Sequence, residues 1–228
     1  MAEKQEIFTL LNSRVKMHHC FYNSTSDAVW LASYAPDGIK TALDVGIGTG
    51  AVSLCLLQHF PEIQITGIDV SNEMLENCAI NTKLNNASIK LLNQDINTWS
   101  TTERFDLVIT NPPYFNGQPA RHNAHHNADL TNWIKHCCAR VNPNKYICII
   151  IDSLCTDKTI AVLKEKHFGN IQIFPLFGAK NSAERVLIRA KQGAKTGSTI
   201  FCGTSMNNNM ILRDGLTIDA LLSTLHAQ

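Results

Sequence analysis

Residues 41–59 constrain the fold more than any other stretch. Thr41-Ala42-Leu43-Asp44-Val45 is a short, largely apolar run that reads as a buried strand. Gly46-Ile47-Gly48-Thr49-Gly50 follows, and residues 51–59 then have helical character. Gly46 and Gly48 let the backbone turn tightly and approach a ligand closely, and Gly50 opens the helix. A second apolar run over 63–68 ends in Asp69-Val70. An acid about 20 residues beyond such glycines is placed to accept both hydroxyls of a ribose. The structural alternative for Asp69 is an N-cap for a helix starting near Asn72.

The glycine pattern bears on the nucleotide class. A dinucleotide fold wants G-x-G-x-x-G, with room for a pyrophosphate at the helix N-terminus. Here the glycines run G-x-G-x-G, and the strand carries Asp44. A carboxylate near the turn repels a pyrophosphate and suits a ligand with an amino group and a sulfonium. That favours S-adenosylmethionine over NAD.

The pattern continues by alternation. Residues 73–85 read as a helix, 88–93 as a third strand leading to Gln94-Asp95-Ile96, and 105–109 as a fourth strand. An acid after the third strand can accept from an adenine amino group; an ordinary loop acid is the alternative for Asp95. Residues 129–141 form an amphipathic helix, Asn142-Pro143-Asn144 a turn, and 146–151 a fifth strand. A helix over 157–167, strands near 171–174 and 185–190, and a terminal helix over 218–225 complete the chain. The expected class is α/β: a Rossmann-like, seven-stranded, mostly parallel sheet with helices on both faces. All 228 residues are expected to form one domain. Residues 1–38 are its N-terminal substrate and cofactor cap, 39–191 its core and 192–228 a C-terminal extension. Residues 1–23 suggest a short helix and then a hairpin. Residues 28–34 read as a helix preceded by capping residues, with Asp27 either a cap or a polar lip over a ligand.

The fourth strand runs into Asn111-Pro112-Pro113-Tyr114-Phe115. Two consecutive prolines remove two backbone donors and fix two φ angles, and the first pushes Asn111 into an extended conformation. The product is a stiff corner with bare carbonyls, one amide side chain and an aromatic face. At the carboxyl end of a strand in an open α/β sheet, that corner lies where ligands bind. It suits alkylation of a planar amine, whose lone pair is delocalised and poorly nucleophilic. The Asn111 side-chain oxygen and the Pro112 carbonyl can hold the N–H groups and turn the lone pair outward, while Tyr114 stacks on the flat substrate. No strong base is required, because the proton becomes acidic once the methyl has transferred. A proline-stiffened turn with a buried tyrosine is the purely structural alternative.

Residues 115–128 form a polar loop with Arg121 and three histidines, a lid or substrate-binding segment by its length and position. Neighbouring cysteines or carboxylates that would complete a zinc site are missing, so no metal is expected. Formal net charge is +1, low for a protein gripping long duplex nucleic acid. Any RNA contact must rest on a local patch, and Arg185, Arg189, Lys191 and Lys195 are the clearest basic cluster, either a solvated face or an RNA-facing one. The eight cysteines are scattered without a CxxC and read as buried reduced thiols. There is neither a signal-like start nor an apolar run long enough to cross a bilayer, so a cytoplasmic location is expected.

With these residues assembled, the chain resembles class I S-adenosylmethionine-dependent methyltransferases over residues 15–191. Asp44 through Gly50 matches their first motif, Asp69-Val70 the second-strand acid and its neighbour, Asp95-Ile96 the adenine-contacting position, and Asn111 through Tyr114 the motif of amino-group methylators. Residues 20–34, Phe115, Asn132-Trp133-Ile134 and Arg185-Val186-Leu187-Ile188 are similar to bacterial tRNA adenine-N6 methyltransferases, which modify an adenine beside the anticodon of a valine tRNA. The resemblance implies S-adenosylmethionine as cofactor, bound by Asp44, Gly46, Gly48, Gly50, Asp69, Val70, Asp95, Ile96 and Asn111. It implies catalysis at Asn111, Pro112 and Tyr114 on a flipped-out adenine, with Asp27, Pro113, Phe115, Arg121 and Arg185 on the substrate side. The implied partner is tRNA, and the expected state is a monomer or weak homo-oligomer. Asn142 through Lys145 lacks the glycine usual before the fifth strand, a departure expected to alter only a turn. Protein-glutamine methyltransferases carry the same corner but usually have a separate helical N-terminal domain, for which the roughly 25 residues before Asp27 are too few. Ribosomal RNA guanine-N2 and DNA adenine methyltransferases share it as well, and a ligand-binding relic without activity is the non-enzyme alternative.

Overall fold

The computed structural model describes residues 7–19, 26–113 and 130–225. Two short strands, β1 (Ile7–Leu10) and β2 (Val15–His18), form an antiparallel hairpin. The helix α1 (Ser26–Ser33) follows, then β3 (Thr41–Val45), α2 (Ala51–His59), β4 (Gln64–Asp69), α3 (Asn72–Leu84), β5 (Lys90–Asn93) and β6 (Phe105–Thr110). The second half comprises α4 (Leu130–Cys138), β7 (Val141–Asp152), α5 (Thr156–Glu165), β8 (Phe168–Phe177) and β9 (Ala183–Gln192). The chain ends with β10 (Ser198–Ile200), β11 (Thr204–Ser205), α6 (Asn209–Leu212) and α7 (Ile218–Leu225).

The main sheet has the order β10-β8-β9-β7-β6-β3-β4-β5, with β11 also on β8. Only β9 runs antiparallel to its neighbours. From β5 to β8 this is the expected seven-stranded sheet, but β10 and β11 extend its edge to nine strands. The chain builds outward from β3 through β4 to β5, then crosses back to lay β6 on the other side of β3. The strand order therefore reverses between β3 and β6, and crevices for ligands open at such points.

The central strands are largely apolar because both faces are covered, with Asp44 in β3 and Asp106 and Thr110 in β6 among the exceptions. Along β6, Leu107 and Ile109 join the core under α1, α2, α6 and α7, while Val108 joins the core under α4 and α5. Successive side chains of a strand point to opposite faces, so one run feeds both cores. Arg189 on β9 is an exception among these apolar neighbours. It is buried, donates to both carboxylate oxygens of Asp219 on α7 at 2.7 and 2.8 Å, and lies 4.6 Å from the Tyr34 ring centroid. It locks α7 onto the sheet, which takes Arg189 out of the expected basic face, while Lys195 is exposed.

Other local expectations are corrected too. Asn142-Pro143-Asn144 is a bulge inside β7 rather than a turn before it: Phe105 pairs Val141, but Leu107 pairs Tyr146, and Asn144 takes a φ of 61°. The hairpin is found over residues 7–18, and the helix expected ahead of it falls partly outside the described residues. Five cysteines are buried and none is in a disulfide among the described residues, but Cys155 is half-buried and Cys202 exposed. No helix among the described residues is long and apolar enough to cross a membrane.

Candidate active site

Two corners meet at the reversal point. Val45, the last residue of β3, pairs with Thr110, the last of β6, so the glycine turn and Asn111 leave neighbouring strands at the same level. The turn is anchored by the Gly46 and Ile47 amides, which both donate to the Ile68 carbonyl at 2.9 and 3.0 Å. Gly46, Gly48 and Gly50 all have positive φ. At Gly50 the need is also spatial: a Cβ there would meet the Cys78 Sγ at 2.6 Å.

Asp69 braces this turn from β4. Its Oδ2 accepts the Gly48 amide at 2.9 Å and its Oδ1 accepts the Ser71 amide at 2.9 Å. The N-cap of α3 is Ser71, whose hydroxyl accepts the Met74 amide, so the capping alternative for Asp69 passes to its neighbour. A carboxylate offers about four lone-pair directions, so two amides leave room for further donors. Val70, directly after it, is 50% exposed, while Ile96 is buried and can offer a ligand little but its backbone. The Asp95 Oδ1 accepts the backbone and side-chain N–H groups of Asn97.

Asp44 is buried beneath the turn and accepts from the Ser53 hydroxyl at 2.6 Å. Burial pushes its carboxyl up to about 7, with the nearby Asp69 charge pushing the same way and Ser53 opposing. A cation beside the turn would reverse part of that shift.

The acceptor corner is held from below. The Thr110 hydroxyl donates to the Val45 carbonyl at 2.8 Å, and Trp133 Nε1 on α4 donates to the Thr110 Oγ1 at 3.0 Å. The Trp133 ring lies against Gly46, where a Cβ would meet its Cζ2 at 3.3 Å. Trp133 thus spans the glycine turn and the corner. The sequence reading placed it in the amphipathic helix and in the segment Asn132-Trp133-Ile134 that carries the family resemblance, and nothing local in the sequence marks its bond to Thr110. Pro112 is buried, while Asn111 and Pro113 are half-buried. Tyr114, Phe115 and Arg121 lie outside the described residues, as do the loop histidines. Among the described residues no group of three or more metal-type side chains comes together.

Beside the corner, β7 and β9 run past the end of β6: Thr110 pairs Ile149, and the chain continues to Asp152, which pairs Arg185. The Arg185 side chain reaches Asp152 at 3.3 Å and the buried Asp27 at 3.4 Å. Asp27 and Arg185 are thus brought together, and Asp27 is 3% exposed in the first turn of α1 rather than on an open lip.

The family profile described as methyltransferase small domain matches residues 28–174. Among curated proteins, the chain is 30% identical over 141 residues to a tRNA1(Val) (adenine(37)-N6)-methyltransferase of Glaesserella parasuis, covering 58% of this chain and 60% of that protein. It is 28% identical over 159 residues to the protein of that name from Escherichia coli, covering 63% and 64%. Across the first such relatives the chain spans between 48% and 64% of their length. Among solved structures, the T. thermophilus 16S rRNA N2 G1207 methyltransferase in complex with AdoMet and guanosine superposes with a TM-score of 0.62 at 20% identity, covering 83% of this chain and 50% of that one. The N-methyltransferase NodS from Bradyrhizobium japonicum superposes with a TM-score of 0.53 at 19% identity, covering 74% and 93%. These likenesses are of fold.

Proposed function

The chain belongs to the methyltransferase small domain family, and from that premise we propose that it methylates the exocyclic amino group of an adenine in tRNA, most specifically N6 of the adenine beside the anticodon of a valine tRNA. The observation that carries the reading is the Val45–Thr110 pairing, which sets the glycine turn and the Asn111 corner side by side at one sheet end. The activity for which the relatives are named supplies the substrate.

The residues at the turn fit S-adenosylmethionine. Of the turn's positive-φ glycines Gly48 has open space where a Cβ would stand, Asp69 has lone pairs to spare for a ribose, and the buried Asp44 complements an amino group. When bound, the cofactor supplies an electrophilic methyl. The protein's part is positioning. Asn111 Oδ1 and the Pro112 carbonyl accept the two N–H bonds of the adenine amine and turn its lone pair away from them. The amine then loses its extra proton to solvent after transfer, without a dedicated base. Tyr114, from its place in sequence, stacks on the extruded base. The Thr110–Trp133 strut keeps Asn111 from drifting relative to Gly46. The reading carries with it a cytoplasmic location, where tRNA is modified, and a protein acting alone or as a weak homo-oligomer.

The test is incubation with labelled S-adenosylmethionine and either bulk tRNA or cell protein, followed by nucleoside and amino-acid analysis. Label in N6-methyladenosine supports the reading. Label in methylglutamine, or in N2-methylguanosine alone, would overturn it.

A further inference from the structure

One row of β9 carries two arginines under the helices. Leu187 belongs to the core beneath α1 and α7, while Val186 and Ile188 belong to the core on the other face. Side chains two apart along a strand share a face, so Arg185, Leu187 and Arg189 form one row on the α1 side. Arg189 grips Asp219 on α7, and its Nη1 also donates to the Tyr34 carbonyl at 3.2 Å. Arg185 does the equivalent for Asp27, with its Nε 3.4 Å from the carboxylate Oδ2.

The helix α1 is therefore fastened to β9 at both ends. Asp27 lies in its first turn, and Tyr34 directly follows its last residue, Ser33. Every residue from Asp27 to Ser33 is buried, and the Trp30 indole donates to the Met206 carbonyl at 3.1 Å. Arg185 also reaches sideways to its cross-strand partner Asp152, the last residue of β7, with Nη1 3.3 Å from Oδ2. The other oxygen of Asp152 accepts the Leu154 amide at 3.0 Å and so caps the 3₁₀ turn Ser153–Cys155. One guanidinium ties together the start of α1, the end of β7 and the turn beyond it.

This tie stands on one particular side of the acceptor corner. The glycine turn leaves β3 and Asp69 ends β4, both to one side of β6, while β7 and β9 lie to the other. A cofactor at the turn leaves the β7–β9 side to the substrate. Thr110 is level with Ile149, so β7 continues through Ile150 and Ile151 to Asp152, rising about 10 Å above the corner as a wall. The charges at the top of that wall do not suit a phosphate. The Arg185 side chain is 22% exposed, and an anion drawn to it would stand beside the Asp27 and Asp152 carboxylates, whose repulsion offsets the attraction.

We propose that Arg185 is a positioning residue on the substrate side rather than a phosphate contact. Acting through Asp27 and Asp152, it holds the start of α1 against the end of β7 and fixes the wall along which the adenine is turned toward Asn111. This rests on the reading of the protein as an RNA methyltransferase. The position calls for arginine, because Nε and Nη1 address two carboxylates at once and a lysine ammonium has no such fork. A wall of this kind acts on rate: a base held slightly out of line still binds, but its amine meets the methyl at the wrong angle.

The experiment is steady-state methylation of a valine tRNA transcript by the full chain at several salt concentrations, well below each variant's thermal midpoint. Arg185→Gln and Arg185→Lys are both expected to lower kcat by about tenfold or more. The KM for tRNA, its salt slope and the calorimetric Kd for S-adenosylmethionine should stay near wild-type values. Asp152→Asn keeps an acceptor for the Leu154 amide but loosens the tie; it should lower kcat similarly, and the double variant with Arg185→Gln should be no worse than either single. This second site carries the test if Arg185→Gln does not fold. A raised KM in Arg185→Gln with kcat kept, a salt slope flatter by about one counterion, and restoration by Arg185→Lys would mark a phosphate contact and overturn the proposal. Tighter tRNA binding in Asp152→Asn would overturn it too. So would a lowered thermal midpoint with full kcat in both Arg185 variants, the outcome of a purely structural tie. All three leave the methyltransferase reading intact. Failure of the wild-type protein to methylate any RNA overturns that reading, and this role with it.

Discussion

Trp133 Nε1 donates to the Thr110 Oγ1 at 3.0 Å while its ring lies against Gly46, so one side chain braces both corners of the site. Trp133→Phe keeps a ring and loses the bond. It should cost about 1 kcal/mol of stability and lower kcat more than it raises the Kd for cofactor. Trp133→Ala also opens a void above Gly46 and should cost roughly 3 kcal/mol. Thermal unfolding and steady-state turnover read both effects. Full turnover in Trp133→Ala would show that the corner needs no strut.

Asn111 directly follows Thr110, whose side chain is committed to Val45 and Trp133, and on the proposed function it accepts from the substrate amine. Asn111→Ala is expected to abolish turnover while calorimetry still registers cofactor binding within a few-fold of wild type. Undiminished turnover would remove Asn111 from the mechanism. Asn111→Asp separates two effects, since it keeps an acceptor but adds a charge.

Asp69 holds the Gly48 and Ser71 amides at 2.9 Å each. Asp69→Ala frees both donors, so the cofactor Kd should rise by tenfold or more and stability fall by about 1–3 kcal/mol. Asp69→Asn keeps acceptor capacity on one oxygen and should lose less of each. A normal cofactor Kd in Asp69→Ala would place the ribose elsewhere.

What could be read in the sequence follows the range of the interactions. The glycine turn, the acid that ends β4 and the proline corner are written in adjacent residues, and α2 and α7 fall where local periodicity puts them, at Ala51–His59 and Ile218–Leu225. Arg189 is different: its burial depends on Asp219 and Tyr34, far away in sequence, and a basic residue near other basic residues reads as surface. The bulge in β7 is invisible because Asn-Pro-Asn is turn material, and only the register of β6 shows that the strand resumes on the same partner. Trp133 belongs to a helix face by pattern, and its role comes from which strand the helix packs on. Tyr114, Phe115 and Arg121 lie outside the described residues.

Asp44 makes stability fall as pH rises. Its folded carboxyl titrates near 7 against an ordinary 3.8, so between those values the folded state holds a proton that the unfolded chain has released. The burial penalty is therefore absent at pH 3, grows through the window and is complete above about 7. The slope is at most about 1.4 kcal/mol per pH unit. Asp44→Asn keeps an acceptor for Ser53 and should remove the slope, read as urea midpoints at pH 4.5, 6 and 7.5. On the proposed function, a cationic cofactor at pH 6 draws the proton off, so calorimetry in buffers of different ionisation enthalpy should register proton release.

Tyr34 and Asp219 bracket Arg189 and predict opposite signs. Asp219→Ala leaves a buried guanidinium with only Gln172 and the Tyr34 carbonyl as partners, and should cost roughly 2 kcal/mol; Asp219 is partly exposed, which holds the figure below that of a fully buried pair. The Tyr34 hydroxyl, by contrast, is buried with no hydrogen-bond partner among the described residues. Burial also drives its titration far above the ordinary tyrosine range, so it stays neutral and adds no charge to the pair. Tyr34→Phe deletes an unsatisfied polar atom and keeps the ring under Arg189 at the same stacking distance. It should therefore be neutral or stabilising by up to about 1 kcal/mol. A midpoint in Tyr34→Phe that drops as far as in Asp219→Ala would mean that the hydroxyl is bonded in solution and that the lock on α7 includes it.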